Sequence, residues 1–163
     1  MSQTYIHPKR KTKVVFVQLG SPSEPTTKAL RKYLRKFLGD PRVVDINPWL
    51  WKIILNFFVL PFRPKKSAKL YARIWDGKSF PLITNTRDFT NNVREELKKI
   101  DPNGYVEVNH AFLLSPPYVN EVYDSWENDL KKGIGATKLL VIPMFPQYSE
   151  STIASGVDAL AKE

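Results

Sequence analysis

Three short apolar runs, separated by amphipathic segments, dominate the pattern of hydrophobic and polar positions along the chain. Residues 13–20 (KVVFVQLG) are rich in β-branched residues and end in glycine, which is typical of a strand buried on both faces of a parallel sheet. Residues 105–114 (YVEVNHAFLL) alternate and then become wholly apolar, and residues 138–146 (KLLVIPMFP) form the third run. We therefore predict three buried strands.

The segments around these strands have the three-and-four spacing of amphipathic helices. In residues 26–38 leucines and aromatic residues share one face, and five cations between Lys28 and Lys36 share another. Gly39 is a suitable C-cap for this helix, and Ser23 is a candidate N-cap. Further helices are predicted over residues 49–60, between two prolines, and over residues 81–100, 120–132 and 149–163.

Alternation of strands and helices predicts an α/β fold with a doubly wound parallel sheet and helices on both faces. Residues 1–12 are polar and basic, and we interpret them as a disordered tail that lacks the apolar core of a signal peptide. A helix that follows a parallel strand normally leads to another strand. Since none follows here, we expect residues 13–163 to be a domain that is incomplete at its C-terminus.

Composition narrows the class of partner. The chain has 163 residues and a formal net charge of +9, which favours anionic partners such as nucleic acid, an acidic membrane or a carboxylate ligand. It has no cysteine, which is compatible with a reducing compartment, and no apolar run long enough to span a membrane. We expect a cytoplasmic protein, with a peripheral position at an anionic membrane as a second expectation.

An apolar segment, residues 48–62, stands directly before a row of cations that starts at Arg63. Within residues 49–60 only Lys52 and Asn56 are polar. This pattern is compatible with a helix buried against the sheet, or with an exposed lip that contacts lipid or a flat hydrophobic ligand. No nucleic-acid motif is present and the aromatic residues group with aliphatic ones, so we do not expect a nucleic-acid partner.

Candidate chemistry is sparse. The loops QLGSPSEP and PMFPQYSEST each join a strand to a helix, where backbone N–H groups can receive an anion, although neither is a dinucleotide or P-loop motif. Ser149 in the second loop is also explained by simple helix capping. The histidines, His7 and His110, have no metal-ligand spacing around them. The sequence therefore requires no cofactor and leaves metal ligands unassigned.

Several segments, in order and spacing, resemble the N-terminal half of ferrochelatases. They are LGSPSEP, FLGDPRVVD, RPKKSAKLYARIW, FPLITNT and PMFPQYSEST, and the similarity extends from about residue 13 to the end. The resemblance implies a flavodoxin-like, chelatase-type fold and the insertion of ferrous iron into protoporphyrin IX in haem biosynthesis. A porphyrin is a flat apolar disc with two propionates, which would suit an apolar lip followed by cations.

The resemblance also implies porphyrin-binding residues. Leu19, Trp49 and Ile53 would form part of an apolar wall. The polar side and the floor of the pocket would be formed by Arg63, Lys66, Tyr71, Ser79, Gln147, Tyr148, Ser149 and Thr152.

Three departures from the family pattern limit what the resemblance implies. Leu113 and Leu114 stand where the family has an Arg-Tyr pair, and Phe80 is inserted between Ser79 and the following proline. The family's catalytic histidine and its acidic partner lie in the second half, and His110 does not match that position. Metal insertion needs a base to remove two pyrrole protons. We therefore expect no catalytic residue in this chain and a porphyrin half-site that is inactive alone.

Two alternatives remain open. The chain could be a non-catalytic tetrapyrrole-binding or membrane-docking remnant of a ferrochelatase, which Leu113 and Leu114 favour. It could also be a basic flavodoxin-like module for another anionic cofactor. If the second half is missing, as the leading interpretation holds, the sheet has an unpaired apolar edge, so we expect self-association through that edge.

Overall fold

A computed structural model describes residues 11–161 and contains a three-stranded parallel sheet. The strands are β1 (Thr12–Gln18), β2 (Val106–Phe112) and β3 (Lys138–Pro143), in the order β2-β1-β3. This order, with the first strand between the second and the third, is the one that begins flavodoxin-like doubly wound sheets. The three predicted strands are present, and each ends two or three residues earlier than predicted. The prediction that all three are buried is wrong for β3, in which no residue is buried.

Six α-helices surround the described sheet. A π-helical segment, Leu55–Val59, joins α2 to α3, and a second one, Glu150–Ala154, precedes α6. A short 3-10 turn, Ala72–Ile74, follows α3. The helices are α1 (Thr27–Leu38), α2 (Pro48–Ile54), α3 (Leu60–Tyr71), α4 (Pro81–Ile100), α5 (Val119–Lys131) and α6 (Ser155–Ala161).

Helices cover both faces of the sheet, as predicted. On one face Val15 and Val17 of β1 belong to a core cluster that includes residues of α5 and α6. On the other face Val14 and Phe16 pack with residues of α4, and the Phe16 ring meets that of Phe89 in an edge-on contact at 5.0 Å. Alternate residues of β1 therefore face opposite helical layers, which explains its continuous apolar sequence.

Helices α1, α2 and α3 form a separate layer at the carboxyl ends of the strands. Their core consists of Tyr33, Leu34 and Leu38 from α1 packed against Leu55 and Leu60, with Leu114 from the loop after β2 at its edge. The indole N–H of Trp51 donates a hydrogen bond of 2.7 Å to the carbonyl of Leu38. This layer holds the apolar segment next to the end of the sheet where ligands bind in open α/β folds.

The prediction that a helix ends at residue 60 is wrong. The helical path continues through Pro61, in the first turn of α3, and Pro64, and reaches Tyr71. A proline normally clashes with the carbonyl four residues before it. Here the π-helical segment immediately before Pro61 changes the hydrogen-bond spacing, and π segments accommodate such irregularities within a helix.

Two capping details also differ from expectation. The N-cap of α1 is Thr26, not Ser23, because the Thr26 hydroxyl accepts a hydrogen bond of 3.2 Å from the N–H of Ala29. Ser149 does stand at the start of the last helical segment, but its hydroxyl makes no capping bond and instead lies 2.9 Å from the hydroxyl of Ser151.

The predicted disordered tail covers residues 1–12. Residues 1–10 lie outside the described part of the chain, but Thr12 is already the first residue of β1, so the predicted boundary is too late. Within residues 11–161, none of the helices combines the length and the apolar character needed to cross a bilayer.

Candidate functional site

A cavity of about 360 Å³ opens at the carboxyl ends of β1 and β2. It lies between the loop after β1, helix α1, the start of α4 and the loop after β2. Such crevices outside the carboxyl ends of the strands are where doubly wound folds bind ligands. Its volume is at the lower end of the range of ligand pockets, roughly 300 to 1,000 Å³.

Contacts between the two strand-end loops fix one wall of this cavity. The N–H of Leu114 donates to the carbonyl of Leu19 at 3.0 Å, so pairing continues past the ends of β1 and β2. The N–H of Ser21 donates to the hydroxyl of Ser115 at 3.3 Å. Gly20 lies between them with φ of +93°, and a Cβ there would come within 2.4 Å of the Ser115 hydroxyl. The close approach of the loops therefore requires glycine.

Aromatic side chains form a second wall. Phe80 is only 2% exposed, and its ring meets those of Trp75 and Tyr71 at 4.7 and 5.4 Å. Its carbonyl also accepts hydrogen bonds from the first turn of α4, at 3.0 Å from the N–H of Ile83. Phe80 is therefore a buried anchor of this wall of the cavity.

The third wall carries positive charge. Lys32 and Lys36 of α1 line the cavity, and the Lys36 ammonium lies 3.6 Å from the centroid of the Tyr118 ring. Burial lowers the pKa of Lys36, and Lys32 acts in the same direction, while Glu121 opposes them. The Glu121 carboxylate itself accepts a hydrogen bond of 3.1 Å from the N–H of Tyr118.

Tyr33 forms the floor between the lysines. Burial, together with the neighbouring hydroxyl of Tyr71, raises the pKa of Tyr33 well above its usual range. Its phenol is therefore neutral at physiological pH, and its hydroxyl donates a hydrogen bond of 3.5 Å to the carbonyl of Gly20.

The structure separates the residues predicted to bind porphyrin. Ser79 lines the cavity, and Tyr71 packs behind it against Phe80. Leu19 is half-buried in the loop after β1 and does not line the cavity. Arg63 and Lys66 are exposed on α3 and do not line it either.

The predicted pocket floor lies at the same end of the sheet, after β3. The loop is tied to β1 because the side-chain amide of Gln18 donates to the carbonyl of Met144 at 2.9 Å. Tyr148 is 69% exposed and Ser149 is half-buried. Thr152 borders a second, apolar cavity of about 100 Å³ beneath α6. Gln147 is exposed.

Several cavity residues were missed by sequence reasoning, notably Lys32, Lys36, Ser115 and Tyr118. The basic face of α1 is evident in the sequence, but nothing in its spacing indicates that it borders a cavity. The available signal was the Lys32/Lys36 pair at a spacing of four next to the buried Tyr33, at the border between the polar and apolar faces.

The apolar segment forms an exposed lip, which decides between its two interpretations. Trp49 and Phe62 are 78% and 72% exposed, whereas Leu55 and Leu60 are buried beneath them. Only one side of this helical path therefore packs on the protein. The exposed apolar face, called the lip below, consists of Trp49, Leu50, Ile53, Phe57, Phe58, Phe62, Leu70 and Ile74.

His110 lies apart from this cavity. It is half-buried in β2 and borders a different cavity of about 330 Å³, with Arg94 and Glu107. Its Nδ1 atom is buried without a hydrogen-bond partner, and burial, Arg94 and Arg87 lower the pKa of His110. His7 lies outside the described residues. Among residues 11–161, no three His, Cys, Asp or Glu side chains are grouped in a way that could hold a metal ion.

The fold and the site define a doubly wound, flavodoxin-like α/β domain with a mixed aromatic and cationic cavity at the carboxyl ends of its strands. The family model named Ferrochelatase matches residues 11–163. The chain belongs to the ferrochelatase family, which confirms the resemblance seen in the sequence.

Curated relatives that are about 40% identical to this chain are named ferrochelatase. A ferrochelatase of Idiomarina loihiensis is 43% identical over 150 residues, covering 92% of this chain and 40% of the relative. Those of Marinobacter nauticus and Teredinibacter turnerae are 40% and 41% identical, covering 92% and 99% of this chain but 39% and 43% of their own length. The chain thus spans about two fifths of the length of the curated relatives it matches.

Proposed function

We propose that this chain supplies one wall of the porphyrin site of a ferrochelatase, an enzyme that inserts ferrous iron into protoporphyrin IX in haem biosynthesis. The observation that carries the proposal is the cavity at the carboxyl ends of β1 and β2 in a chain of this family. Its aromatic wall suits a macrocycle and its lysines suit carboxylates. Ferrous iron and protoporphyrin IX are the substrates of the proposed reaction.

The proposed role is binding and orientation rather than proton removal. A base must take two protons from the pyrrole nitrogens as the metal enters. No histidine or carboxylate lines the cavity among the described residues, and the Tyr33 phenol is held neutral. We therefore expect these 163 residues to bind the porphyrin without metallating it.

The test is to mix the purified chain with protoporphyrin IX and zinc, a stand-in for ferrous iron, and to follow porphyrin fluorescence. A shift in the free-base spectrum without conversion is the expected result. Conversion to zinc porphyrin above the protein-free rate would contradict the assignment of catalysis to groups outside this chain. No spectral change would contradict porphyrin binding.

The absence of a spectral change would favour the alternative of a non-catalytic, membrane-docking remnant. The structure gives Leu113 and Leu114 a packing role that suits either case. Leu113 packs in the core beneath α5 and α6, and a Cβ on Gly156 would lie 3.6 Å from it. Leu114 lines the cavity and contacts the core of α1 to α3.

We further propose that the lip docks the protein peripherally on the cytoplasmic face of a membrane. The lip is apolar and has Trp49 at its start, and cations lie on both sides of it, on α1 and on α3. Lysine and arginine near an anionic surface each contribute about 1 kcal/mol of attraction. Co-sedimentation with vesicles should therefore increase with the fraction of anionic lipid, and binding that ignores lipid charge would contradict this proposal.

A further inference from the structure

We infer that Arg31, on α1, is a positioning residue that replaces a hydrogen-bond donor missing from the backbone of α3. Its side chain takes the place of the N–H that Pro64 lacks, and so holds α3 as one continuous helix beside α1. The inference rests on the proposed function in one respect, since α3 carries Arg63 and Lys66, to which the family resemblance assigns porphyrin binding.

The hydrogen bonding of α3 has a gap at the carbonyl of Leu60. In an α-helix each carbonyl accepts the N–H of the residue four positions later. For Leu60 that residue is Pro64, which has no N–H and whose ring crowds this same carbonyl. Leu60 is only 2% exposed, and Pro64 is also buried. A buried carbonyl without a partner is costly, so α3 needs a donor from another element.

Arg31 supplies this donor from the neighbouring helix. Its Nε–H group donates a hydrogen bond of 3.3 Å to the carbonyl of Leu60. A guanidinium is always protonated, so the donor is present at every physiological pH. None of the ion pairs within residues 11–161 involves Arg31. The side chain therefore joins α1 to α3 at the turn where the regular backbone ladder is interrupted.

This bond also bears on where the cations of α3 point. The buried residues of α3 are spaced four apart and form one stripe, consisting of Leu60, Pro64 and Ala68. Arg63 and Lys66 lie off this stripe and are exposed. Apolar packing is non-directional, whereas a hydrogen bond has a preferred direction. The bond from Arg31 thus fixes the rotation of α3 about its own axis, and with it the direction of Arg63 and Lys66.

A double-mutant cycle tests this role, because Pro64→Ala restores a backbone N–H that can reach the carbonyl of Leu60. Arg31→Met removes the donor and keeps an unbranched stem. In amide hydrogen exchange followed by mass spectrometry, we expect Arg31→Met to accelerate exchange in α3 about tenfold, as for loss of one hydrogen bond, and to leave α4 unchanged. In the Pro64→Ala background, the same substitution should change exchange in α3 by less than about twofold.

Arg35→Met is the matched control, since Arg35 is exposed one turn further along α1. It should leave exchange in α3 unchanged. Arg31→Lys keeps a charged donor and should retain most of the protection, and circular dichroism should show that all variants are folded. Equal acceleration by Arg31→Met with proline or with alanine at position 64 would overturn the inference, as would equal acceleration by Arg31→Met and Arg35→Met.

A porphyrin measurement links this role to the proposed function. Protoporphyrin IX carries two charged propionates, which its dimethyl ester lacks. Arg31→Met should raise the dissociation constant of the free acid several-fold and leave that of the ester unchanged, and adding Pro64→Ala should reverse the loss. If the wild-type chain bound neither porphyrin, the proposed function would fail while the exchange cycle still decided the role of Arg31. A loss that Pro64→Ala does not reverse would contradict the positioning of Arg63 and Lys66 through Arg31.

Discussion

Replacing Gly20 with alanine should destabilise the domain because the loops after β1 and β2 meet at this residue. Gly20 has φ of +93°, and its added Cβ would lie 2.4 Å from the Ser115 hydroxyl and 3.1 Å from the Cβ of Phe112. The Ser115 hydroxyl cannot rotate away freely, because it accepts the hydrogen bond from the buried N–H of Ser21. The alanine methyl therefore meets atoms that are already fixed.

The expected magnitude has two parts. Placing a residue with a Cβ at positive φ costs about 1–2 kcal/mol. Overpacking a fixed environment costs about 1–3 kcal/mol more. Gly20→Ala should therefore lower the free energy of unfolding by about 2–5 kcal/mol, a large fraction of the stability of a typical domain.

A matched substitution at Gly77 separates the backbone cost from the overpacking cost. It has nearly the same φ, +95°, but a Cβ there would meet nothing within 4 Å. Gly77→Ala should thus show only the backbone cost, about 1–2 kcal/mol. The difference between the two alanine variants measures the steric contact with Ser115 and Phe112.

The assay is urea unfolding followed by tryptophan fluorescence and circular dichroism, with an unchanged m-value as the check on two-state behaviour. Ser115→Ala alone should cost about 1 kcal/mol, because the Ser21 N–H loses its acceptor. In the double variant the clash with the hydroxyl is absent, so the combined loss should be smaller than the sum of the single losses. Equal costs for Gly20→Ala and Gly77→Ala, or strict additivity, would refute the reasoning.

Three further outcomes follow from exposed or partly buried groups. Phe57→Glu removes apolar area from the lip and adds a negative charge, so co-sedimentation with anionic vesicles should fall several-fold. Ile100 is similarly exposed at the end of α4, so Ile100→Glu should leave co-sedimentation unchanged. Equal losses of vesicle binding in Phe57→Glu and Ile100→Glu would contradict lip docking. The outer side of β3 has no strand partner within the described residues, so the wild-type chain should self-associate, and Ile142→Lys should reduce its mass in light scattering. A monomeric wild type would contradict that prediction. Burial lowers the pKa of His110 in the folded chain below 6.5, so the unfolded chain binds the proton more readily. The free energy of unfolding should therefore be highest above pH 6.5 and should fall as the pH drops below that value. His110→Gln should flatten this slope in pH-dependent unfolding, and an unchanged slope would contradict the assignment.

The strands could be predicted from the sequence because parallel strands buried on both faces have a distinctive composition. Val14, Val15, Phe16 and Val17 are all buried, alternately beneath α4 and beneath α5 and α6. β3 is less covered, with Leu140 44% exposed, yet its sequence is equally apolar. Burial on both faces was therefore correct for β1 and overestimated for β3, since apolar composition does not reveal whether a neighbouring element is present.

The lip shows a different limit. The apolar residues 49–60 surround the helical path almost completely, and such a helix has no polar face to indicate which side is buried. The structure buries Leu55 and Leu60 against α1 and leaves Trp49 and Phe57 exposed. The sequence also does not show that the helix continues beyond Pro61, because the π-helical turn before this proline has no recognised sequence signature.

The cations that line the cavity show a related limit. Arg63 and Lys66 follow the apolar segment in sequence, and their role in porphyrin binding stays a prediction. Which cations line the cavity depends on the helix that borders the strand-end loops, and that helix is α1. Lys32 and Lys36 flank Tyr33, whose ring is buried, so their aliphatic stems lie at the border of the apolar face and their ammonium groups reach the cavity. A lysine at such a border is indistinguishable in sequence from one facing solvent, and only the position of the loops after β1 and β2 makes it part of the cavity lining.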